Sequence, residues 1–401
     1  MQVKFGSWAT FDLGASDRYR GHLRVKLLDD AGNPIGKPLD GPACDQPFQQ
    51  SDDLITGIGQ LIAKAYQQAQ AILPVEDKLK GVIGFVPAQT KNNIVAHFAN
   101  LETQSGQKLA NVNFNDLVGI LKEHGVKLAA KPKVVVTNDM MGGTAFVASK
   151  LAGEPTFKEG FHGVYMATGG GFGVAELTYE EGDKLKIKAT ENGHLTTTGN
   201  VSLEASVASA PAIINNFAKA LGLDDKTRQT LVAAGDARVV TQLPKAQAVL
   251  PRLTERQHKQ AGLLAMNQYL DGVSTLIANK VLDGINTVVL AGPLAHGVKH
   301  SVETNPKDFQ SDLDEYALHH SDDRVSPFEK VLINRVWNRL DETGQTQFRV
   351  NRLQLKTDLE VNDNTAGSWY LSQGHFVGEH VRGNWFSIPV KAFQTATESG
   401  R

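Results

Sequence analysis

Short apolar runs that stop at a glycine, a proline or an aspartate recur along this chain: GVIGFVP at 81–87, KVVVTND at 133–139 and NTVVLAG at 286–292. Runs of that length and composition read as strands buried on both faces. Residues 8–13 and 22–28 add two more strands, with turn chemistry in AGNPIG at 31–36. Between the strands lie stretches of helical period. Ser51 stands as a cap before Leu54, Ile58, Leu61, Ile62 and Ala65, and further helices are predicted near 114–124, 204–220, 255–280 and 326–340. Strands alternating with helices limit the chain to an α/β architecture with a covered sheet. Its 401 residues suffice for more than one core, and each half opens with a strand-rich unit, which suggests two similar α/β domains around a cleft.

Composition excludes several classes of function. Forty-one Lys and Arg stand against 43 Asp and Glu, with no basic stripe, so nucleic acid is not an expected partner. Cys44 is the only cysteine, which rules out an intrachain disulfide framework and suits a reducing cytoplasm. No apolar run approaches the roughly 18 residues of a membrane span, and the N-terminus lacks the pattern of a signal segment. The expectation is a cytoplasmic protein with no membrane partner.

Chemistry concentrates in a few segments. ATGGGFG at 167–173 follows an apolar strand and places Gly169, Gly170, Gly171 and Gly173 where backbone N–H groups could approach phosphate oxygens, or where a loop simply packs. It satisfies neither the P-loop nor the dinucleotide fingerprint. In FDLGAS at 11–16, Asp12 ends a strand before Gly14 and could orient a water on Mg²⁺. Asp139, at the end of KVVVTND, is a candidate general base for a hydroxyl, or else a cap for the following helix; Asn138 orients the same substrate or closes the turn. Glu191, His194 and Glu204 offer donors and acceptors to a polyhydroxylated ligand, although each alone reads as a surface or structural residue. HHSDD at 319–323 fits no standard zinc spacing and reads as a solvated loop within a polar segment, 301–325, that is either a lid or an exposed insertion.

Taken in order, these segments resemble the ROK family of bacterial sugar kinases, over residues 9–370. FDLGAS is similar to the family's first phosphate loop, DxGGT, at Asp12, Gly14 and Ala15, followed by Ser16. GFVPAQT resembles the VPG segment, and FANLE brings Asn100 to the place of a sugar-contacting asparagine. TNDMMGG matches the ND-A-N-A segment, which assigns the catalytic base to Asp139 and a sugar contact to Asn138. ATGGGFG resembles the second phosphate loop. ENGHL and GNVSLEA carry sugar contacts to Glu191, His194 and Glu204. VVLAGPL looks like the adenosine-side VxGG segment and places Gly292 near the nucleotide, while NDNTAGSW at 362–369 resembles DDAGLLGA and fixes the register.

The resemblance implies a two-domain fold of the sugar kinase, actin and Hsp70 ATPase (ribonuclease H-like) kind, with an interdomain cleft. It divides the chain into an N-terminal domain at 1–130, a C-terminal domain at 131–370 carrying the catalytic aspartate, and an extension at 371–401 packed on the core. It implies ATP-dependent phosphorylation of a hexose, glucose to glucose 6-phosphate, with ATP and Mg²⁺ as cofactors and a homodimer as the assembly. The alternatives are an N-acetylated hexosamine or another hexose as substrate, or a non-catalytic sugar sensor. Asp12 lies too near Met1 for the DNA-binding domain that the family's repressors carry. Two departures stand out. The cysteine cluster that holds zinc in the family is replaced by LTTTGNVS, whose hydroxyls cannot substitute for thiolates, so no structural zinc is expected. Ala15 and Ser16 replace Gly and Thr, and an enlarged DRYRGH segment follows, where Arg18 or Arg20 contacts phosphate or is solvated.

Overall fold

The computed structural model describes residues 6–14, 17–73, 77–190, 197–198, 201–320, 322, 324–351, 353–359, 364–373, 375–380, 383–390 and 392–393. The chain forms two compact units, one of Met1–Glu159, Tyr179–Ala189 and Asp363–Arg401, the other of Gly160–Thr178 and Thr190–Asn362.

In the first unit, β1 (Ser7–Gly14), β2 (His22–Leu28) and β3 (Pro34–Pro42) make an antiparallel meander. β4 (Leu79–Val86) and then β7 (Leu128–Asn138) add in parallel on the other side of β1. Alternation along β1 and β2 sends Phe11, Leu13, Leu23, Val25 and Leu27 into one core, where they meet Leu54, Ile58 and Ile62 of helix α1 (Asp52–Ala69). The α1 pattern expected from sequence is therefore present, but its cap differs. Ser51 makes no side-chain cap bond; its hydroxyl accepts from Ala110 N at 3.0 Å, and the Asp53 carboxylate takes the N–H groups of Gln49 and Gln50. β5 (Ile94–Glu102) and β6 (Lys108–Asn113) form a separate ribbon that buries Val95, Phe98 and Leu101, and the short helix α2 (Leu117–Glu123) follows.

Cys44 donates to the Asp53 carbonyl at 3.1 Å, and burial, then the charges of Asp53 and Asp45, push its thiol up to about 11. The nucleophile is the thiolate, so alkylation of the folded protein at pH 8 is expected to run roughly 100-fold slower than in urea. Equal rates would show that the folded thiol is not held in this way.

The sequence division at 130 does not coincide with the compact units. β7 begins at Leu128 and its partner is β4, so the first sheet is completed only at Asn138. Helix α3 (Asp139–Leu151) follows within the same unit, which runs to Glu159. Asp139, expected in the C-terminal domain, thus lies in the first unit.

In the second unit, β8 (His162–Thr168) and β9 (Phe172–Glu180) are an antiparallel pair whose last residues pass into the first unit, followed by β10 (Lys184–Thr190). After the two-residue strands β11 (Thr197–Thr198) and β12 (Val201–Ser202) comes β13 (Thr287–Ala291), parallel to both β8 and β14 (Gln354–Lys356). Val164, Met166, Val174 and Leu290 of this sheet pack with Ile213 and Phe217 of the helix Ala210–Ala220 and with Tyr269 and Val273 of the helix Glu255–Leu282. The helical pattern expected near 204–220 is broken: Glu204–Ala208 forms one wide turn, and Ser209 becomes extended (φ −122°, ψ 162°) before a new helix. Ser209 caps that helix, and Pro211 in its first turn excludes a continuous one.

The polar segment at 301–325 is largely helical. The helices Pro293–Thr304 and Gln310–His319 frame it, with Phe309 and Tyr316 buried. His320 of HHSDD stacks on Tyr316 at 4.7 Å and meets the edge of Trp337 at 5.4 Å. Burial, then His319 and Arg349, push its imidazole below the usual range. Among the described residues no group of side chains is arranged to hold a metal, and no helix is long and apolar enough to cross a membrane.

The C-terminal segment forms β15 (His375–His380) and β16 (Gly383–Pro389), and β16 pairs with β10. Phe386, Ile388 and Phe393 are buried, and Phe393 stacks on Tyr370 at 4.9 Å.

Candidate functional site

Alternation that buries Phe11 and Leu13 turns Asp12 to the opposite face of β1. There the chain returns from its far end. Asn364 Nδ2 donates to both Asp12 oxygens, at 3.2 and 3.3 Å, and Ser368 shares a hydrogen bond of 2.6 Å with Thr10. In the sequence NDNTAGSW does no more than fix register, and Asn364 is not legible there as a partner of Asp12. Its one signal was the polar segment itself, because nothing local links positions 352 residues apart.

β2 places Arg24 opposite Asp12 and His22 opposite Gly14. Both basic side chains reach Asp40, Arg24 at 2.8 Å and His22 at 2.6 Å, and they hold its carboxyl below the usual range, the Arg24 hydrogen bond foremost. Ala15 and Ser16 lie outside the described residues. In the enlarged segment after them, Arg20 pairs with Asp17 at 2.8 Å and Arg18 with Glu102 at 3.7 Å. Both are surface pairs of small energetic weight.

β7 delivers Asn138 and Asp139. The Asn138 backbone is extended (φ −58°, ψ 144°), its side chain accepts from Met140 N at 3.0 Å, and its amide donates to the Ala88 carbonyl at 3.5 Å. Asn138 is therefore the cap of α3, and Asp139 is the first helical residue, where the helix end favours a negative charge. The alternative role for Asp139, capping this helix, is filled by its neighbour. One turn on, Gly142 lies against the Asn364 carbonyl and the Phe85 ring, and Gly367 lies against the Gly142 carbonyl. These contacts tie the helix that begins at Asp139 to the segment that holds Asp12. Asn100 is exposed on β5.

In the second unit, Gly169, Gly170 and Gly171 connect β8 to β9. Gly169 N bonds the Gly171 carbonyl at 2.9 Å, and the Gly169 carbonyl accepts from Ala210 N at 2.7 Å. Thr168 at the end of β8 shares a hydrogen bond of 2.9 Å with the phenol of Tyr269, which burial raises above its usual range. Glu204 accepts from Phe172 N at 2.9 Å, so its carboxylate braces the glycine loop. Gly292 has φ +98°, and a Cβ there would run into the Thr168 backbone, so this glycine is required by the fold. Pro293, the first residue of the next helix, lies beside Gly169, where a Cβ would be 3.4 Å from the proline ring. Gly170 differs: its φ is not left-handed and a Cβ would meet nothing within 4 Å. Gly173 lies within β9, paired with Ala167. The second unit thus gathers Gly169–Gly171, Glu204 and Gly292. Glu191 and His194 lie outside the described residues.

No protein-family model matches the chain, and no curated protein matches its sequence. Solved structures do resemble it. The glucokinase of Balamuthia mandrillaris, in complex with glucose, superposes with a TM-score of 0.56 over 91% of this chain and 93% of that one, at 13% identity. A protein of Cytophaga hutchinsonii assigned as a sugar kinase gives a TM-score of 0.52 over 91% and 98%, at 15% identity. Leishmania braziliensis glucokinase gives 0.50 over 90% and 92%, at 13% identity. At these identities the likeness is one of fold: the chain is built on the α/β fold found in sugar kinases.

Proposed function

We infer that this protein is a divergent ROK-type kinase that transfers the γ-phosphoryl group of ATP to a hexose, glucose being the favoured substrate. The observation that carries the reading is the start of α3. Asn138 caps the helix, and Asp139 stands beside it as the first helical residue, at the end of β7. In the transfer, Asp139 accepts the proton of the attacking hydroxyl as its oxygen bonds to phosphorus and the bond to ADP breaks. Asn100, Asn138, Glu191, His194 and Glu204 are the proposed sugar contacts.

Asp12 fits the water-mediated Mg²⁺ role. It is half-buried at the end of β1, and the Asn364 amide orients its carboxylate. Bound there, the ion would offset charge on the phosphates. Gly14, Ala15, Ser16, Gly169, Gly170, Gly171 and Gly173 are the proposed phosphate loops, with Gly292 on the adenosine side. Folding does not ask for glycine at 170, whereas close approach of a phosphate does. Gly170→Ala is therefore expected to leave Tm within about 1 °C while weakening Mg-ATP binding about tenfold or more. Unchanged ATP affinity by calorimetry would remove this loop from the nucleotide site.

The test of the whole reading is ADP production from Mg-ATP across a panel of hexoses and hexosamines, with Asp139→Ala beside the parent. Sugar-dependent turnover that disappears in the variant supports the kinase and names its substrate. A folded parent that binds sugar without turnover points to a sensor. The resemblance also supports a homodimer, which sedimentation equilibrium would test.

A further inference from the structure

β7 is the edge strand of the first sheet, and its outward backbone groups are met by side chains instead of another strand. Asn93 accepts from Val136 N at 2.8 Å and donates to the Val134 carbonyl at 3.0 Å. Thr90, buried, donates to the Val136 carbonyl at 2.9 Å, and the next outward residue, Asn138, donates through its own amide to the Ala88 carbonyl at 3.5 Å. Successive outward positions 134, 136 and 138 are thus held by one short segment, 88–93.

The same segment grips the turn Phe114–Asp116, which directly follows the β5–β6 ribbon. Phe114 N donates to the Asn93 carbonyl at 2.9 Å, and the Asn93 amide also reaches Asn115 at 2.9 Å. Asn115 in turn donates to the Asn92 carbonyl at 3.0 Å. Asn93 adopts φ +62°, a left-handed conformation that costs a non-glycine residue energy unless its bonds offset it. The strain is retained at the residue that supplies both the edge mimic and the link to the ribbon.

We propose that Thr90 and Asn93 are positioning residues for sugar phosphorylation: they fix the end of β7, and so Asn138 and Asp139, relative to the ribbon that carries Asn100. This rests on the hexose-kinase reading above. Both residues act through the β7 backbone and touch no reacting atom. Their loss would displace the sugar-side groups, while the glycine loop keeps its own bonds, from Ala210 N to the Gly169 carbonyl and from Phe172 N to Glu204.

The deciding experiment compares Thr90→Val, Asn93→Gly, the double variant and Thr90→Ser with the parent in steady-state kinetics, each with Tm. Thr90→Val removes the hydroxyl at nearly constant shape. Asn93→Gly removes all three side-chain bonds while accepting the left-handed backbone without strain. The expected result for the double variant is a roughly tenfold higher sugar KM and roughly tenfold lower kcat, with the ATP KM within about twofold of the parent. Thr90→Ser is expected to restore parental values. Simple loss of folded protein would lower the apparent kcat and leave the sugar KM alone. If the double variant does not fold, Asn93→Gly alone decides by the same split. A working parent whose folded variants keep its sugar KM, or whose sugar and ATP KM rise together, overturns this inference alone. A parent with no sugar-dependent turnover overturns the kinase reading and this inference with it.

Discussion

Asp139→Asn is expected to lower kcat about 10³-fold, within the range that a positioned general base supplies, while the protein stays folded. The substitution keeps size and hydrogen-bonding reach and removes the negative charge and with it the ability to take a proton. Because the α3 cap is Asn138, the cap bond to Met140 N survives. What is lost from the fold is the favourable placing of a charge at the first helical turn, about 0.3–1 kcal/mol. Single-turnover measurements at saturating sugar and Mg-ATP give the rate, and thermal unfolding gives the control. A variant with kcat within tenfold of the parent would mean that Asp139 is not the base.

Gly142→Ala is expected to destabilise the first unit by about 1–2 kcal/mol, although alanine is the better helix former. The two effects oppose each other. Intrinsic propensity favours alanine over glycine by about 1 kcal/mol in a helix interior. Against that, a Cβ at 142 would lie 2.9 Å from two atoms of the buried Phe85 ring and closer still to the Asn364 carbonyl. Neither neighbour can yield cheaply, since Phe85 is fully enclosed and the other group is backbone. Displacing Asn364 would also loosen its grip on Asp12, so Mg-ATP turnover is expected to fall along with stability. Urea unfolding at constant m-value measures the first effect. A midpoint at or above that of the parent would mean that the packing is looser than the contacts imply.

Gly142 and Gly170 show where sequence reading stops. Both lie among neighbouring glycines shortly after an apolar strand, and the sequence alone does not tell them apart. The structure separates them: a Cβ at 142 is blocked by groups from distant segments, while one at 170 has open space. The same limit applies to Ser51, which has the right residue type and spacing for a cap yet bonds Ala110 instead. A capping preference is local, and tertiary contact with β6 overrides it.

The strands at β1, β2, β4, β7 and β13 and the helices at α1 and Glu255–Leu282 were legible because strand and helix periods are written in neighbouring residues. So was the choice of Asp12, Asn138 and Asp139 as candidates, since each stands where a strand must end. The domain limits were not legible. A parallel partner can come from anywhere in the chain, and β4 takes its partner from beyond 127, across the whole β5–β6 ribbon. The amide that orients Asp12 was equally hidden at position 364.

By itself, then, the sequence determined the α/β class and most of the elements, and offered candidates for proton and phosphate chemistry. Only the tertiary structure decided that Asn138 and not Asp139 caps α3, that Asn364 holds Asp12, and that Glu204 braces the glycine loop. The physical reason is one of range. Backbone periodicity and turn preference act over a few residues, whereas a hydrogen-bond partner or a blocked Cβ is set by whatever the folded chain brings alongside.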